Sequence, residues 1–227
     1  LACGASPCVL LAQTGGRRAT GVTAAAFMFL LFCALLPSLP SVLAGATVVQ
    51  SIAWLPAAGL ELALRLDGLG MLFCLLILGI GLLVVVYAYY YLPRKDGLGR
   101  FYATLLAFMS AMLGVVLSEN ILLLVFFWEI TSLTSFLLVA YKFEGADGRG
   151  GARLALAVTG GGGLALLAGM LLLGEMAGSY NLSGIFAAGA TIREHALFFP
   201  CLVLILLGAF TKSAQFPFHF WLPNAMA

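Results

Sequence analysis

Blocks of about twenty apolar residues recur along the chain, and this repetition constrains the fold more than any other feature. The hydrocarbon core of a bilayer is about 30 Å thick and is crossed by roughly 20 residues of α-helix. Full membrane spans are predicted at residues 20–43, 68–92, 101–118, 121–141 and 152–174, with a partial span at 1–12 and an interrupted last span at 196–227. The predicted fold class is therefore an all-α, polytopic transmembrane helical bundle that forms a single domain over 1–227.

Composition agrees with a membrane protein and excludes several other classes. Hydrophobic residues make up 63% of the 227 residues and charged residues 9%, whereas soluble domains carry roughly 25% charged residues. The net charge of +2 gives no reason to expect a nucleic acid partner. The five cysteines form no Cys-x-x-Cys pair, so we expect no metal site and no cofactor.

The links between the predicted spans are short, with two exceptions. Residues 44–67 and 175–195 are moderately apolar and are compatible with short interfacial strands or helices. The chain starts at Leu1 without a Met and stops at Ala227 inside an apolar segment. We therefore expect it to be incomplete at both ends.

The basic residues provide an independent test of this arrangement. If the links alternate between the two sides of the membrane, one side receives eight basic residues: Arg17, Arg18, Arg94, Lys95, Arg100, Lys142, Arg149 and Arg153. The other side receives only Arg65 and Arg193. The positive-inside rule places the larger group in the cytoplasm. This predicts a multi-pass protein of the inner (plasma) membrane whose partial first span begins on the outer side.

A secretory signal peptide is an alternative interpretation of the N-terminal region. Arg17 and Arg18, the apolar run from Val22 and the small residues of 41–46 resemble such a signal and its cleavage site. Another apolar segment precedes this run and further spans follow it. The second helix of a bundle therefore fits the pattern better.

Two charged residues fall deep inside predicted spans, and they are the main functional candidates. Glu129 lies nine residues after Asn120, about 13 Å deep as helix. Lys212 lies thirteen residues after Phe199, about 20 Å from the outer edge. A charge at the bilayer centre costs at least ~2.5–3.5 kcal/mol and usually marks an ion pathway. A structural ion pair that only fixes helix packing is the alternative.

Polar side chains accompany both charges. Thr131, Ser132 and Ser135 follow Glu129 in its span, and Ser213 and Gln215 follow Lys212. We expect hydroxyls and amides at this density to hold water or pass protons. Bonding back to the same helix is the commoner role of any single Ser or Thr.

The last span contains two prolines, Pro217 and Pro223, which predict a discontinuous helix. Broken helices at membrane depth mark ion sites in transporters. Lys212 lies five residues before the first proline, and His219 just after it is a candidate proton relay; a packed histidine bonded to backbone is the alternative.

Two further features have structural interpretations. Asp67 precedes a long apolar helix and is predicted to be its N-cap. The run Gly160–Gly163 favours close helix packing over phosphate binding, because no strand precedes it and no Lys-Ser/Thr follows it.

These residues carry a resemblance to a known superfamily. Phe127–Ser132 (FWEITS), Gly208–Gln215 (GAFTKSAQ) and Phe216–Ala227 (FPFHFWLPNAMA) resemble signature helices of the antiporter-like subunits. These are the large membrane subunits of respiratory complex I and of Mrp-type multisubunit Na⁺/H⁺ antiporters. The last of the three stretches is most similar to the A subunit of the Mrp type.

The resemblance implies an architecture and a function. The family has two inverted repeats, and this chain would be part of the first. It also implies that Glu129 and Lys212 form an interacting pair in a proton path. The expected function is a proton-translocating subunit of a monovalent cation (Na⁺)/H⁺ antiporter with other membrane subunits as partners, hence a transporter and not an enzyme. The alternatives are a proton-pumping subunit of a complex I-like oxidoreductase and a structural membrane anchor.

Overall fold

The computed structural model describes residues 16–55, 60–92, 98–141 and 146–226. The long helices are α1 (Gly16–Leu35), α3 (Gly68–Tyr91), α4 (Leu98–Leu117), α5 (Ile121–Val139), α6 (Ala146–Ala177) and α9 (Phe198–Lys212). The short elements are α2 (Leu39–Leu43), β1 (Val48–Leu55), β2 (Leu60–Leu66), α7 (Leu182–Ala187), α8 (Gly189–Glu194) and α10 (Trp221–Met226). The predicted fold class, an all-α polytopic bundle, is confirmed.

Five helical segments of the described chain are long and apolar enough to cross a membrane. They are Gly16–Leu43, Gly68–Tyr91, Leu98–Leu117, Ile121–Val139 and Gly150–Ala177. Phe198–Lys212 is apolar but shorter. The predicted partial span at 1–12 lies outside the described residues.

Both long links contain short regular elements. In the link 44–67, β1 and β2 pair as a two-stranded sheet, so strands and not helices fill most of it. In the link 175–195, the short helices α7 and α8 follow one another. The sequence leaves both possibilities open because such short segments have no long apolar period to decide between them.

The described chain divides into two compact units, and the single-domain interpretation stays a prediction. The first unit holds Arg65–Leu117 and the chain up to Val49. In it, a side chain at Gly81 would overlap Met109, so the missing Cβ lets α3 and α4 pack closely. Tyr102 is fully buried and donates to the backbone O of Val85 at 2.8 Å.

The second unit holds Gln50–Leu64 and Ser118–Ala227. In this unit α6 packs against both α5 and α9. The contact with α9 is close because an added Cβ at Gly208 would lie 2.9 Å from the backbone O of Gly162. Small residues at such crossings let membrane helices approach closely. Since α6 contacts both neighbours, it provides a common surface for the residues of α5 and α9.

The last span is discontinuous, as predicted, but the helix ends earlier than the position of the prolines indicates. Helix α9 ends at Lys212, and Ala214 has a φ of 51°. A turn of 3₁₀-helix at Phe218–Phe220 then leads into α10. Pro217 lacks an N–H and disfavours a helical residue before it. Lys212 therefore occupies the last helical position and not one five residues before the break.

Candidate functional site

The N-terminal cap of α5 fixes the position of Glu129 along its helix. Asn120 Oδ1 accepts hydrogen bonds from the N–H groups of Leu122 at 2.9 Å and Leu123 at 3.3 Å. Asn120 Nδ2 donates to Asn181 Oδ1 at 3.1 Å. Asn120 is only 3% exposed, so this end of α5 is firmly held. Glu129 follows in the middle of the helix.

Lys212 extends from the end of α9 to α5. Its ammonium Nζ donates to Ser132 Oγ at 2.7 Å. It also lies 5.6 Å from the ring centroid of Trp128, within the range of a cation–π interaction. Ser132 is 3% exposed. The ammonium is therefore held by one hydroxyl and one aromatic ring on adjacent turns of α5.

The carboxylate of Glu129 lies against the backbone of α6. An ideal Cβ added to Gly163 would overlap Glu129 Oε1. The same oxygen is buried and has no hydrogen-bond partner within the described residues. Buried polar groups usually have hydrogen-bond partners, so a buried carboxylate oxygen with only van der Waals contacts is exceptional.

The two opposite charges are close but not joined. Glu129 and Lys212 lie near enough for their charges to interact through space. Within the part of the chain that is described, no ion pair links the carboxylate to the ammonium. The structure thus has the ammonium on Ser132 and the carboxylate against Gly163.

A second contact of the same kind supports the end of α9. An added Cβ at Gly162 would overlap Thr211 Oγ1, so Thr211 lies against α6 beside Glu129. Thr211 O accepts a hydrogen bond from Trp221 Nε1 at 2.9 Å. The helix ends at Lys212, so this carbonyl lacks its usual helical partner, and the indole of α10 provides one. The indole thereby fixes α10 to the turn that carries Lys212.

The remaining polar residues predicted to support the site divide into two groups. Thr131 Oγ1 donates to Trp128 O at 2.7 Å and Ser213 Oγ to Ala209 O at 2.7 Å. Both therefore bond to their own helices, which is the commoner role. Ser135 is half-buried on α5, and Gln215 is exposed in the turn after α9.

His219 and Asp67 make other contacts. His219 is exposed in the 3₁₀ turn, and its ring stacks on Phe216 with centroids 5.8 Å apart. Asp67 lies at the N-cap of α3, where its Oδ1 accepts from Gly70 N at 2.8 Å and its Oδ2 from Arg65 Nε at 3.2 Å. The described residues contain no group of His, Cys, Asp and Glu that could hold a metal ion.

Sequence reasoning misses three contributors to the site. Trp128 stands out in the sequence only as part of a motif, although it precedes Glu129 and lies one turn before Ser132. Gly162 and Gly163 predict helix packing without indicating which side chains enter there. Four consecutive glycines in a span beside two charged helices are the available signal.

These features define a class: a multi-pass membrane protein that holds a carboxylate and an ammonium close together within its helices. Comparison with known families gives the particular group. Residues 118–227 match the family model described as "NADH:quinone oxidoreductase/Mrp antiporter, TM", and residues 54–102 match "NADH-Ubiquinone oxidoreductase (complex I), chain 5 N-terminus". The chain belongs to this family of antiporter-like membrane subunits.

Relatives and solved structures agree with this assignment. The chain is 53% identical over 83% of its length to a probable K⁺/H⁺ antiporter subunit of Rhizobium meliloti, and covers 19% of that protein. It is 48% identical over 80% of its length to a Na⁺/H⁺ antiporter subunit of Alkalihalophilus pseudofirmus, and covers 23% of it. The chain thus spans about a fifth to a quarter of the curated relatives it matches.

A chain in the structure of the Mrp complex from Dietzia sp. DQ12-45-1b matches 98% of this chain with a TM-score of 0.85 and 38% identity. This chain covers 24% of that one. A chain of the membrane-bound sulfane sulfur reductase, an archaeal respiratory membrane complex, matches 99% of this chain at 23% identity with a TM-score of 0.78, and 34% of it is covered. The second likeness shows the shared fold only.

Proposed function

We propose that this chain is part of a proton-translocating subunit of a multisubunit monovalent cation (Na⁺)/H⁺ antiporter. The observation that carries the proposal is the Lys212 ammonium, bonded to buried Ser132 with Glu129 nearby but not paired to it. An intramembrane charge is costly unless it has a function or a partner. The names of the relatives, which are antiporter subunits, support the same conclusion.

The proposed mechanism is a switch between two states of this pair. When Glu129 approaches Lys212, the carboxylate stabilises the ammonium and Lys212 keeps its proton. When Glu129 withdraws, burial disfavours the ammonium and Lys212 releases the proton. The arrangement described above, with the ammonium on Ser132 and no ion pair, corresponds to the withdrawn state. The turn after Lys212 supplies the mobility.

The proton leaves Lys212 through the polar side chains around it. Ser132 is the first member of this route because it already bonds the ammonium. Ser135 lies almost one turn further along α5. Gln215 and His219 lie beyond the end of α9, where both are exposed on this chain. We propose that they connect the pair to a water-filled path formed with the remainder of the subunit. Thr131 and Ser213 shape the site through their own helices.

The partners follow from the same proposal. The subunit would work with other membrane subunits in a hetero-oligomeric complex of the inner membrane and exchange protons for Na⁺ or another monovalent cation. The relatives include one named for K⁺ and one named for Na⁺. The eight basic residues assigned to one side would face the cytoplasm.

A complex I-like oxidoreductase is the second candidate for the parent assembly. One matched family description names NADH:quinone oxidoreductase together with the Mrp antiporter, and the other names complex I, which is the reason to test this alternative. In that case quinone reduction would drive the pair, and soluble flavin and iron–sulfur subunits would accompany it. Proton movement driven by a Na⁺ or K⁺ gradient in vesicles without any electron donor supports the antiporter. Movement that strictly requires an electron donor supports the oxidoreductase.

The decisive test replaces Lys212 with Ala in the intact complex. We expect cation-driven proton movement to fall to background in inverted membrane vesicles, because α5 and α9 carry no other basic side chain that could take the place of the ammonium. A fluorescent pH indicator measures the initial rate, and immunoblotting measures the amount of assembled complex.

Arg193→Ala provides the matched control, since Arg193 is a basic residue exposed in the last turn of α8. Its transport should equal that of the unmodified complex. Full antiport by the Lys212→Ala complex at normal abundance would refute the proposed role and favour a structural membrane anchor.

A further inference from the structure

The four consecutive glycines of α6, Gly160–Gly163, differ in their surroundings, and one of them contacts Glu129. A Cβ added at Gly160 or Gly161 would meet nothing within 4 Å. A Cβ added at Gly162 would overlap Thr211, and one added at Gly163 would overlap Glu129 Oε1. The two latter positions therefore require glycine for the space that the missing side chain leaves.

Glycine destabilises the interior of a helix. It costs roughly 0.5–1 kcal/mol relative to Ala at each position. The backbone at Gly163 is helical, so a special backbone conformation does not explain the residue. The contact with the Glu129 carboxylate explains it directly.

The carboxylate at this position is held by shape and not by hydrogen bonds. Glu129 Oε1 is buried without a hydrogen-bond partner in the described chain. A carboxylate that accepted several hydrogen bonds here could not leave without stranding its buried donors. A carboxylate held only against a glycine leaves at lower cost. The contact at Gly163 thus suits a group that must move.

We infer that Gly163 is a positioning residue that receives the Glu129 carboxylate when it withdraws from Lys212. This inference rests on the proposed function, since it assigns a place to one state of the switch. Ser132 receives the ammonium in the same state. Gly163 and Ser132 together hold the two charges apart.

The inference gives Gly163→Ala a specific effect. The new methyl group occupies the place of Glu129 Oε1, so the carboxylate moves off α6. Lys212 carries the opposite charge with which Glu129 already interacts, so the carboxylate moves toward it. The pair then favours the joined state, and release of the proton from Lys212 requires a higher pH. We expect the rate of cation-driven proton movement near neutral pH to fall about tenfold and the pH profile to move toward alkaline values.

Few other titratable groups face this contact. On α5, α6, α9, the turns that flank α5 and the 3₁₀ turn after α9, the other charged or titratable side chains described are Glu119, Tyr141, Arg153, Glu175, Cys201 and His219. Tyr141 follows Glu129 by twelve residues, and Cys201 precedes Lys212 by eleven residues along α9, about 16 Å. Arg153 and Glu175 lie ten and twelve residues from Gly163 along α6, about 15 and 18 Å away. Glu119 precedes α5 by two residues, and His219 lies beyond the end of α9. The alkaline movement of the profile is therefore assigned to Glu129 and Lys212.

The experiment compares alanine variants along the same run in the assembled complex. Gly163→Ala is measured beside Gly160→Ala and Gly161→Ala over a range of pH in inverted membrane vesicles. The two control variants should keep the rate within about twofold and leave the pH profile in place, because their added methyl groups meet open space. An unchanged profile for Gly163→Ala, or an equal change in all three variants, would overturn the inference.

A second measurement covers the case in which Gly163→Ala assembles poorly. Glu129→Ala removes the carboxylate that the new methyl group would strike. In that background Gly163→Ala should restore normal assembly and raise the melting temperature slightly, because Ala favours helix over Gly. A double variant as unstable as Gly163→Ala alone would overturn the inference. Failure of the proposed function is distinguishable, since it would leave Lys212→Ala active whatever Gly163→Ala does.

Discussion

Glu119 and Glu129 lie ten residues apart on the same segment, one just before α5 and one in its middle, yet their surroundings differ. Glu119 is 3% exposed, and its Oε1 accepts from Ser183 N at 3.0 Å. Its backbone N donates to Ala63 O at 2.9 Å, and its backbone O accepts from Leu182 N at 2.8 Å. Glu129 is half-buried with an unpartnered oxygen against Gly163.

The difference shows how one residue type serves two purposes. Glu119 is joined to β2 and to the start of α7 through backbone groups, so its displacement would leave buried donors and acceptors unpaired. It therefore anchors the end of α5. Glu129 loses no hydrogen bond of Oε1 when it moves. Satisfied polar groups fix a structure, and an unsatisfied one at a functional site is free to change partner.

The largest expected effect distinguishes the two glutamates, because replacing Glu129 should change transport and replacing Glu119 should change stability. Glu129→Gln keeps the size of the side chain but removes its charge, and we expect cation-driven proton movement to be abolished with a normal amount of complex. Glu119→Ala removes the acceptor of Ser183 N in a partly buried hydrogen bond, and the loss of this bond costs about 1 kcal/mol. We expect that variant to lower the amount and melting temperature of the complex, with transport per assembled complex retained.

Glu119→Gln is the matched control because its amide oxygen can still accept from Ser183 N. It should behave more mildly than Glu119→Ala in both measurements. Loss of transport by Glu119→Gln at normal abundance of the complex would contradict a purely structural role of Glu119, since Glu119 would then act through its charge. Normal transport by Glu129→Gln would contradict the role proposed for the Glu129 charge.

Much of this contrast can be anticipated from the sequence, because it depends on position along one helix. Asn120 before an apolar run marks a helix start, and counting from it puts Glu119 at the boundary and Glu129 inside. The apolar blocks likewise predict the long helices, since their length has few alternatives in a membrane protein. These inferences need only the distance along the chain.

The remaining details depend on contacts between distant residues. The contact between Glu129 and Gly163 depends on how α5 and α6 are rotated about their axes. The nearly uniform apolar surfaces of the two helices do not determine this rotation. The bond from Lys212 to Ser132 spans 80 residues of sequence. The early end of α9 is followed by Ala214 in a left-handed conformation, which is uncommon for a residue other than Gly. No local sequence pattern predicts these two contacts or the early end of α9.

Ser132→Ala tests the same contrast with a smaller expected effect. It removes the acceptor that holds the Lys212 ammonium apart from Glu129, and we expect the rate to fall about fivefold, the equivalent of about 1 kcal/mol. Initial rates in inverted membrane vesicles provide the measurement. Ser110→Ala is the control, because Ser110 Oγ donates to Leu106 O of its own helix at 2.7 Å. Equal rates for the two variants would show that Ser132 does not position the ammonium.

The smallest effect concerns Asp67, an anchoring carboxylate at a more exposed site. The hydrogen bond from Gly70 N, with Arg65 beside it and partial burial opposing both, holds the pKa of Asp67 below its ordinary value of 3.8. Its contribution to stability is therefore present above that pH and is lost as the pH falls through the lowered pKa. Asp67→Ala should cost about 1 kcal/mol through the lost cap, seen as a lower melting temperature of the purified complex at neutral pH. Asp67→Asn should cost less because Asn caps about as well, and the deficit of Asp67→Ala should shrink in acid. If Asn is as damaging as Ala at neutral pH, the negative charge beside Arg65 matters more than the cap, and Asp67 differs from the hydrogen-bonded anchor represented by Glu119.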